Sequence, residues 1–588
     1  MSLASAYLGV ERSFSGKRWE AAETDERLGL ALAQRFGLPE IVGRILAARG
    51  VDETEVEGFL SPQLRRLLPD PSSFLDMDLA ANRLADAIVS DEKIAVFGDY
   101  DVDGATSSAL LKRFCRAAGA EVEIYIPDRM AEGYGPNLPA LLKLKEDGAS
   151  VVITVDCGIV AFEAIEGAGE AGLDVIVVDH HQAEPQLPAA VAVVNPNRLD
   201  DDNPNKHLAA VGVTFLLVVA LNRVLRARGW YENGREEPDL LQWLDLVALG
   251  TVCDVVQLTG VNRALVTQGL KVMAARGNVG LTALADVARL SEPPAAYHAG
   301  FLLGPRVNAG GRVGEAWLGA ALLTTDNRNE AEEWAKRLDG YNQERRAIEA
   351  DCLEAAIAFV EAETDGNFAF AAGPDWHPGV IGIVAGRLRE RFDRPACVVA
   401  YDGDVGKGSG RSVRGFDLGA SIVAARQAGL LIGGGGHEMA AGFTLEREKE
   451  SAFRAFMAER IGAMEGELVP RYRIDGALQP AGAGTDLLAA IEQLAPFGAG
   501  NRQPRFAFPS ARIVKAEPVG DNHVRCFLTG ESGGRLKAIS FRSLDQPLGQ
   551  ALLNSRGLPL HVCGTLRLDR WQGRETPQLT IEDAAEIS

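Results

Sequence analysis

Ile94-Ala95-Val96-Phe97-Gly98-Asp99-Tyr100-Asp101-Val102-Asp103-Gly104 is the stretch on which the fold of this chain turns. Its apolar half, Ile94–Phe97, has no polar alternation and predicts a strand buried on both faces. The carboxylates Asp99, Asp101 and Asp103 follow at once, and then a segment of helical periodicity, Thr106–Ala118. The pattern recurs outward along the chain. Val122–Ile126 comes next, then Val151–Val155 before the helical Ala161–Ala171, then Val175–Val178. Short buried strands alternating with helices predict βαβ units and an open parallel sheet, an α/β fold. Ligands of such sheets lie beyond the carboxyl ends of the strands, where these aspartates stand.

Further acidic residues end the other runs. Asp156 follows Val151–Val155, and Asp179-His180-His181 follows Val175–Val178. Asp254 closes Ala248–Cys253, a segment whose helix or strand character the sequence leaves open. The strand-end motifs are expected to converge on one sheet edge, where their charges repel unless a cation bridges them. The twelve-residue calcium loop with its terminal Glu is missing, and no cysteine pair suits structural zinc. Carboxylates mixed with imidazole lean to Mn²⁺, with Mg²⁺ admissible. Two ions bridged by a shared carboxylate suit in-line displacement at phosphorus, so the residues themselves predict a metal-dependent phosphoesterase.

A chain of 588 residues, 47% apolar and 24% charged, is globular and long enough for two to four domains. Its cysteines (115, 157, 253, 352, 397, 526 and 563) are scattered without a CxxC, as in a reducing compartment. Met1–Glu20 has no apolar core of signal length, and the longest apolar run, the 14 residues Leu208–Leu221, is short for a bilayer. The expectation is a cytoplasmic protein without a membrane partner. A net charge of −21 speaks at first against nucleic acid, but it is unevenly spread: residues 1–470 carry −23 and 471–588 carry +2. An anionic polymer therefore remains open as ligand.

The expected organisation is a helical segment over 1–70, the parallel-sheet domain over 71–325, a connecting helix over 326–362, a second α/β domain over 363–465 and a small β-barrel over 466–588. Leu208–Leu221 and Leu240–Leu249 read as core helices, Asn327–Glu361 as the long helix. Strands near Phe368–Ala372 and Ala396–Ala400 belong to the second domain. The tail has short alternating strands at Phe506–Phe508, Arg525–Leu528, Leu560–Leu566 and Gln578–Ile581, the texture of a barrel.

Several elements have the chemistry to hold a polyanion. Arg129 beside Gly133-Tyr134-Gly135 suits a phosphate clamp and a stacked base. Gly304-Pro305-Arg306-Val307-Asn308-Ala309-Gly310-Gly311-Arg312 reads as a glycine-rich loop placing Arg306, Asn308 and Arg312 on phosphates. Gly408-Ser409-Gly410-Arg411-Ser412 and Gly433–Gly436 before His437 read as loops turning amides and an imidazole toward an anion. In the tail, Phe506, Phe508, Phe527, Phe541 and Trp571 with Arg525, Arg542, Arg567 and Arg570 are available for stacking and charge, without a choice among them.

Asp101-x-Asp103, Asp156, Asp179-His180-His181 and Asp254 together resemble the DHH phosphoesterase superfamily, and within it the single-strand-specific 5′→3′ DNA exonucleases, over nearly the whole chain. The resemblance implies a DHH parallel-sheet domain, a DHHA1 α/β domain across a long helix, and an OB-fold barrel marked by Pro496-Phe497-Gly498-Ala499-Gly500-Asn501. It implies that Asp101 and Asp156 hold one ion, that Asp103, Asp156, His180 and Asp254 hold the other, and that His181 faces the scissile phosphate. Asp156 and His181 are then the catalytic pair, with Asp99 and Asp179 supporting them. Phe97 stands where related pyrophosphatases have a histidine, so Asp99 is the candidate to complete the first site, and one or two ions remain open. By the same analogy Arg411, Ser412 and His437 grip single-stranded DNA opposite the metals. Single-strand-binding protein and a repair helicase are the partners the resemblance implies. The alternatives are a DHH phosphodiesterase for short oligonucleotides or cyclic dinucleotides, and an inactive replication scaffold.

Overall fold

The computed structural model describes residues 5–129, 131–232, 234–362, 366–463, 470–571 and 574–587. They gather into two compact units, Pro69–Val256 with Gln268–Leu468, and Met1–Leu68 with Gln257–Thr267 and Val469–Ser588.

The first unit contains the expected parallel sheet. Its strands are β1 (Ile94–Gly98), β2 (Val122–Tyr125), β3 (Val151–Val155), β4 (Asp174–Val178) and β5 (Ala192–Val194). They lie parallel in the order β2-β1-β3-β4-β5. β1 and β3 are buried along their whole length, as runs without polar alternation require. Helix α1 (Val102–Ala117) follows the acidic stretch directly. Helix α2 (Ala210–Ala227) outruns the apolar run that predicted it. It is long and apolar enough to cross a membrane, but 72% of it is buried in the fold, which makes it a core helix. The Leu240–Leu249 segment divides into a 3₁₀ turn, Leu240–Trp243, and helix α3 (Leu244–Cys253), so Asp254 caps a helix. Two glycines let these helices close on the site. A Cβ at Gly104 would lie 2.4 Å from Asp99 O, and one at Gly250 would lie 2.3 Å from Thr106 Oγ1.

Arg306 and Arg312 lie on a helix, α4 (Gly304–Val313), where a loop was expected. The long helix α5 (Arg328–Ala362) buries Ala331, Ala335 and Leu338 in its first half. Its second half packs Cys352, Ala356 and Val360 against Ala369, Ala371 and Val380 of the next layer. That layer is a mixed sheet of β6 (Ala369–Pro374), β7 (Ala396–Asp402), β8 (Val405–Arg411), β9 (Gly433–His437) and β10 (Ala440–Glu446). Its order is β9-β10-β8-β7-β6, with helix α6 (Pro378–Phe392) against β7 and β8.

In the second unit β11 (Arg505–Val519), β12 (His523–Gly530), β13 (Gly533–Ser540), β14 (Pro559–Trp571) and β15 (Arg574–Glu586) close a five-stranded barrel through the β11–β14 pairing. Phe506, Phe508, Leu528, Val562 and Leu579 fill it, and Leu32, Val42, Ile45 and Leu46 of the N-terminal helices join the same core. The N-terminal stretch also carries a strand, Arg18–Ala21, parallel to Arg471–Ile474. Trp19 Nε1 donates to Asp583 Oδ2 at 3.0 Å. The Pro496–Asn501 marker is a structural knot. Asn501 Nδ2 donates to Leu494 O and Pro496 O at 2.8 and 2.7 Å. Beside it the fully buried Arg263 donates to Phe59 O at 2.8 Å and Ala495 O at 2.7 Å. Arg263→Ala strands those carbonyls in a dry interior, so denaturant melts of this unit should lose about 3 kcal/mol. Arg263→Lys, lacking the fork, should recover less than half of the loss.

Candidate metal centre

Register brings the acidic motifs to one edge. Gly98 pairs with Val155 and Val155 with Val178, so Asp99, Asp156 and Asp179 leave the sheet at one level. Their amides continue the ladder, donating to Val155 O, Val178 O and Val194 O at 3.2, 3.0 and 3.1 Å. Asp156 turns out of its strand at φ +61°, a left-handed conformation that costs about 1–3 kcal/mol in a non-glycine residue and is typical of functional sites. Asp101 caps α1, Oδ1 accepting from the amides of Asp103 and Gly104 at 2.8 and 3.1 Å. Asp103, inside the first turn, accepts from Ala210 N and Val211 N at 2.7 and 2.8 Å, the amides that open α2.

His180 Nε2 sits among these groups, 3.3 Å from Asp156 Oδ1, 3.6 Å from Asp254 Oδ2 and 4.0 Å from Asp103 Oδ2. Ligand atoms gather within 4.8 Å of one another in three groups: Asp99, Asp101 and Asp156; Asp103, His180 and Asp254; and Asp156, His180 and His181. Asp99 Oδ1, Asp156 Oδ1, His180 Nε2 and Asp254 Oδ2 are buried without a hydrogen-bond partner. An octahedral cation holding ligands at about 2.1 Å sets neighbouring ligand atoms about 3 Å apart, close to the His180–Asp156 spacing. Orphaned buried donors of this type and spacing fit a divalent cation.

Electrostatics makes the same demand. Burial, then the charge of Asp101, pushes the Asp103 carboxyl up to about 7 and holds Asp99 and Asp156 well above the carboxylate range. Burial, Asp103 and Asp101 push Asp254 up to about 9. Burial and the neighbouring His181 lower the His180 imidazole to about 4, leaving it neutral and fit to ligate. Phe97, at the position of the absent histidine, is fully buried and stacked on Tyr125 at 5.3 Å. Asp99 instead places a carboxylate oxygen within 4.8 Å of ligand atoms of Asp101 and Asp156.

His181 is held from one side. Its Nδ1 is 2.7 Å from Asp179 Oδ1. The buried Asp179 also accepts from the amides of Ile159, His180 and His181. Burial opposes the charged imidazole, but the Asp179 hydrogen bond and charge, with Asp254 and Asp99, outweigh it and push His181 up to about 9. Tyr134 OH donates to Asp156 O at 3.2 Å and stands edge-on to His181. Its hydroxyl thus braces the Asp156 turn, while the residue stays 52% exposed beside the site, where the sequence reading put a base-stacking ring.

A cavity of about 470 Å³ opens beside this centre, lined by Arg129, Arg312, Lys407, Ser409 and Arg411. Arg129 stacks 5.0 Å over Tyr100, and Arg312 Nη1 donates to Gly379 O at 2.9 Å. Two residues of the expected anion grip, Arg306 and Ser412, point elsewhere, and a third, His437, is not among the cavity's lining. Arg306 is buried, its Nε on Asp339 at 2.9 Å and Nη1 on Leu302 O at 2.7 Å, because α4 turns that face inward. The Ser412 hydroxyl is buried and donates to Phe416 O at 2.6 Å; Ser409 takes the cavity position. Gly433–His437 is the edge strand β9, so the glycines are paired with β10 and exposed His437 lies outside the cavity lining. Asn308 is half-buried on α4. Lys407 and Ser409 were missed as cavity residues, although Lys407-x-Ser409-x-Arg411 has the period of one strand face.

Family models match three segments in order: the DHH family N-terminal domain over residues 93–251, the DHHA1 domain over 365–463 and the RecJ OB domain over 474–583. The single-stranded-DNA-specific exonuclease RecJ of Bacillus subtilis (strain 168) is 35% identical, the match covering 97% of this chain and 71% of that protein. RecJ of Escherichia coli (strain K12) is 35% identical, over 93% of this chain and 96% of that protein. The crystal structure of RecJ in complex with Mn²⁺ from Thermus thermophilus superposes with a TM-score of 0.81 at 29% identity, covering 96% of this chain and 79% of that chain. The same protein with Mg²⁺ gives a TM-score of 0.75 at 28% identity, covering 97% of this chain and 78% of that chain. With identity at this level running from the acidic sheet edge through the barrel, the chain belongs to the RecJ family of single-stranded-DNA-specific exonucleases.

Proposed function

We propose that this chain is a divalent-metal-dependent, single-strand-specific DNA exonuclease that works 5′→3′, releases 5′-mononucleotides and serves DNA repair and recombination in the cytoplasm. The observation that carries this reading is the cluster of unpartnered carboxylates and imidazole with an arginine-lined cavity beside it. Mn²⁺ or Mg²⁺ fits the donors, one ion on Asp101, Asp156 and Asp99, a second on Asp103, Asp156, His180 and Asp254. A cation held there neutralises the crowded carboxylates and, as a Lewis acid, makes hydroxide available near neutral pH.

The remaining work falls to the chain's own side chains. Arg129, Arg312, Lys407 and Arg411 bring four cations to the cavity. A terminal phosphate carries up to two charges and an internal diester one, so such a cavity favours a strand end. His181, fixed at Nδ1 by Asp179, presents Nε2 to the phosphate and the departing oxygen. On the barrel Phe506 and Phe508 are core, whereas Phe527 lies under Arg535 at 4.1 Å and the exposed Phe541 is flanked by His523 and Arg567. Among the described aromatic candidates of the tail, Phe527 and Phe541 are therefore the rings outside the core and available to stack on bases. The side chains of Arg570 and Trp571 lie outside the described residues. Single-strand-binding protein and a repair helicase are the partners this reading expects.

The test uses 5′-labelled and 3′-labelled single strands, with 5′-phosphate or 5′-hydroxyl, and a blunt duplex, in Mn²⁺, Mg²⁺ and EDTA. The 5′ label should leave first as mononucleotide, faster from the phosphorylated strand, and only with metal. Arg411→Ala should erase the advantage of the 5′-phosphate, about 10- to 100-fold for a lost charge-assisted hydrogen bond. Survival of long strands while cyclic dinucleotides are cut would replace this reading by the small-substrate one.

A further inference from the structure

Tyr297 and Phe301 are 62% and 66% exposed, their rings stacked 5.2 Å apart at 24°. They straddle the join between a helical turn, Ala296–His298, and a π-helical turn, Ala299–Leu303. Such turns are rare, and they recur at functional sites because the extra residue re-aims side chains. His298, between the two rings in sequence, is buried and anchored, Nδ1 accepting from Ala295 N at 3.0 Å and Nε2 lying 3.1 Å from Glu292. With His298 pinned inward, its aromatic neighbours are held outward.

The π turn rests on the end of α3. Cys253 Sγ lies 3.5 Å from Ala299 O, and a Cβ on Gly304 would come within 2.3 Å of that sulfur. Cys253 immediately precedes Asp254 of the metal centre. On its other side Val255 is 70% exposed at φ +61°, a costly conformation for a β-branched residue. The segment ending in Asp254 is thus followed by one exposed apolar side chain and backed by a turn that presents two exposed rings.

We propose that Tyr297 and Phe301 form a platform on which bases of the single strand stack as the strand approaches the Asp254 side of the metal centre. The proposal rests on the nuclease reading above and adds the residues that hold the strand outside the catalytic cluster. Every base has a π-face, so two rings grip a strand of any sequence. A protein partner is a poorer occupant. Aromatic residues bury about 150–250 Å² each, and two of them fall well short of the about 800 Å² per side of a standard interface.

The decisive variant is Tyr297→Leu with Phe301→Leu, which keeps apolar bulk and removes the π-faces, measured on 5′-phosphorylated single strands in Mn²⁺. KM should rise at least about tenfold while kcat stays within about twofold, since stacking contributes about 1–3 kcal/mol per base. Tyr297→Phe should keep the parental KM. Abasic sites walked inward from the 5′ end should raise the parental KM at the positions that reach the rings, and add nothing in the double variant. Unchanged KM in the double variant, or abasic losses that add fully to it, overturns the platform while leaving the nuclease reading in place. Failure of the parental chain to cut single strands overturns the nuclease reading and the platform with it.

Discussion

Asp156→Asn should lower turnover in saturating Mn²⁺ at least about a thousandfold. Asp156 belongs to two of the three ligand groups, one with Asp99 and Asp101 and one with His180 and His181, and its Oδ1 lies 3.3 Å from the His180 nitrogen of the second proposed site, so its loss should weaken both proposed ion sites together. Cation stabilisation of developing charge at phosphorus contributes several kcal/mol, and each 1.36 kcal/mol is a factor of ten. Asparagine is the informative replacement, because it tolerates the left-handed backbone at this position as aspartate does, whereas alanine would add strain. A second readout carries the opposite sign. In chelator the buried carboxylates repel one another, so the neutral amide should leave the melting temperature equal to or above the parental value. In Mn²⁺ the parental chain should gain stability that the variant does not, since a ligand bound only by the folded state stabilises it by mass action. Near-normal turnover, or an undiminished Mn²⁺-dependent rise in melting temperature, would remove Asp156 from the metal centre.

The acidic centre was legible because its signal is local. Buried β-branched runs fix β1, β3 and β4, and in-register parallel pairing forces the residues after Gly98, Val155 and Val178 to a common level. Leu240–Leu249 read as a core helix, but its continuation through Ala248–Cys253 to Asp254 was not legible. Leu244–Thr251 is buried on every face, so the few residues before Asp254 carry no apolar–polar periodicity to tell helix from strand. The anion grip was half legible for another reason. Gly304, Gly310 and Gly311 read as loop, yet they permit α4 to approach Cys253, Glu315 and Tyr100, and the direction of Arg306 depends on Asp339 far along the chain. Alternating glycines in β8 disguised a strand whose intervening Lys407, Ser409 and Arg411 all reach the cavity. Tyr297 and Phe301 offered no sequence signal, since a π turn has no spacing rule of its own.

His181→Ala should lower kcat about 10²- to 10⁴-fold on single strands while leaving the Mn²⁺-dependent rise in melting temperature close to parental. The geometry separates two roles for this imidazole. Grouped with Asp156 and His180 it has the donors of a ligand. Its Nδ1, however, is taken by Asp179 at 2.7 Å, Tyr134 OH stands 3.5 Å from the same nitrogen, and about 40% of the side chain is exposed. The orphaned nitrogen among the carboxylates is His180 Nε2, with no counterpart on His181. A half-exposed ring pinned at one nitrogen suits the proposed role of proton donor to the phosphate, and proton transfer from a positioned side chain contributes in this range. Asp179→Asn should cost less than His181→Ala, because it removes the charge that favours the imidazolium and leaves the ring in place. If His181→Ala instead abolishes the Mn²⁺-dependent rise along with activity, His181 is a ligand, and the donor facing the departing oxygen must be sought among Arg129, Arg312 and Tyr134.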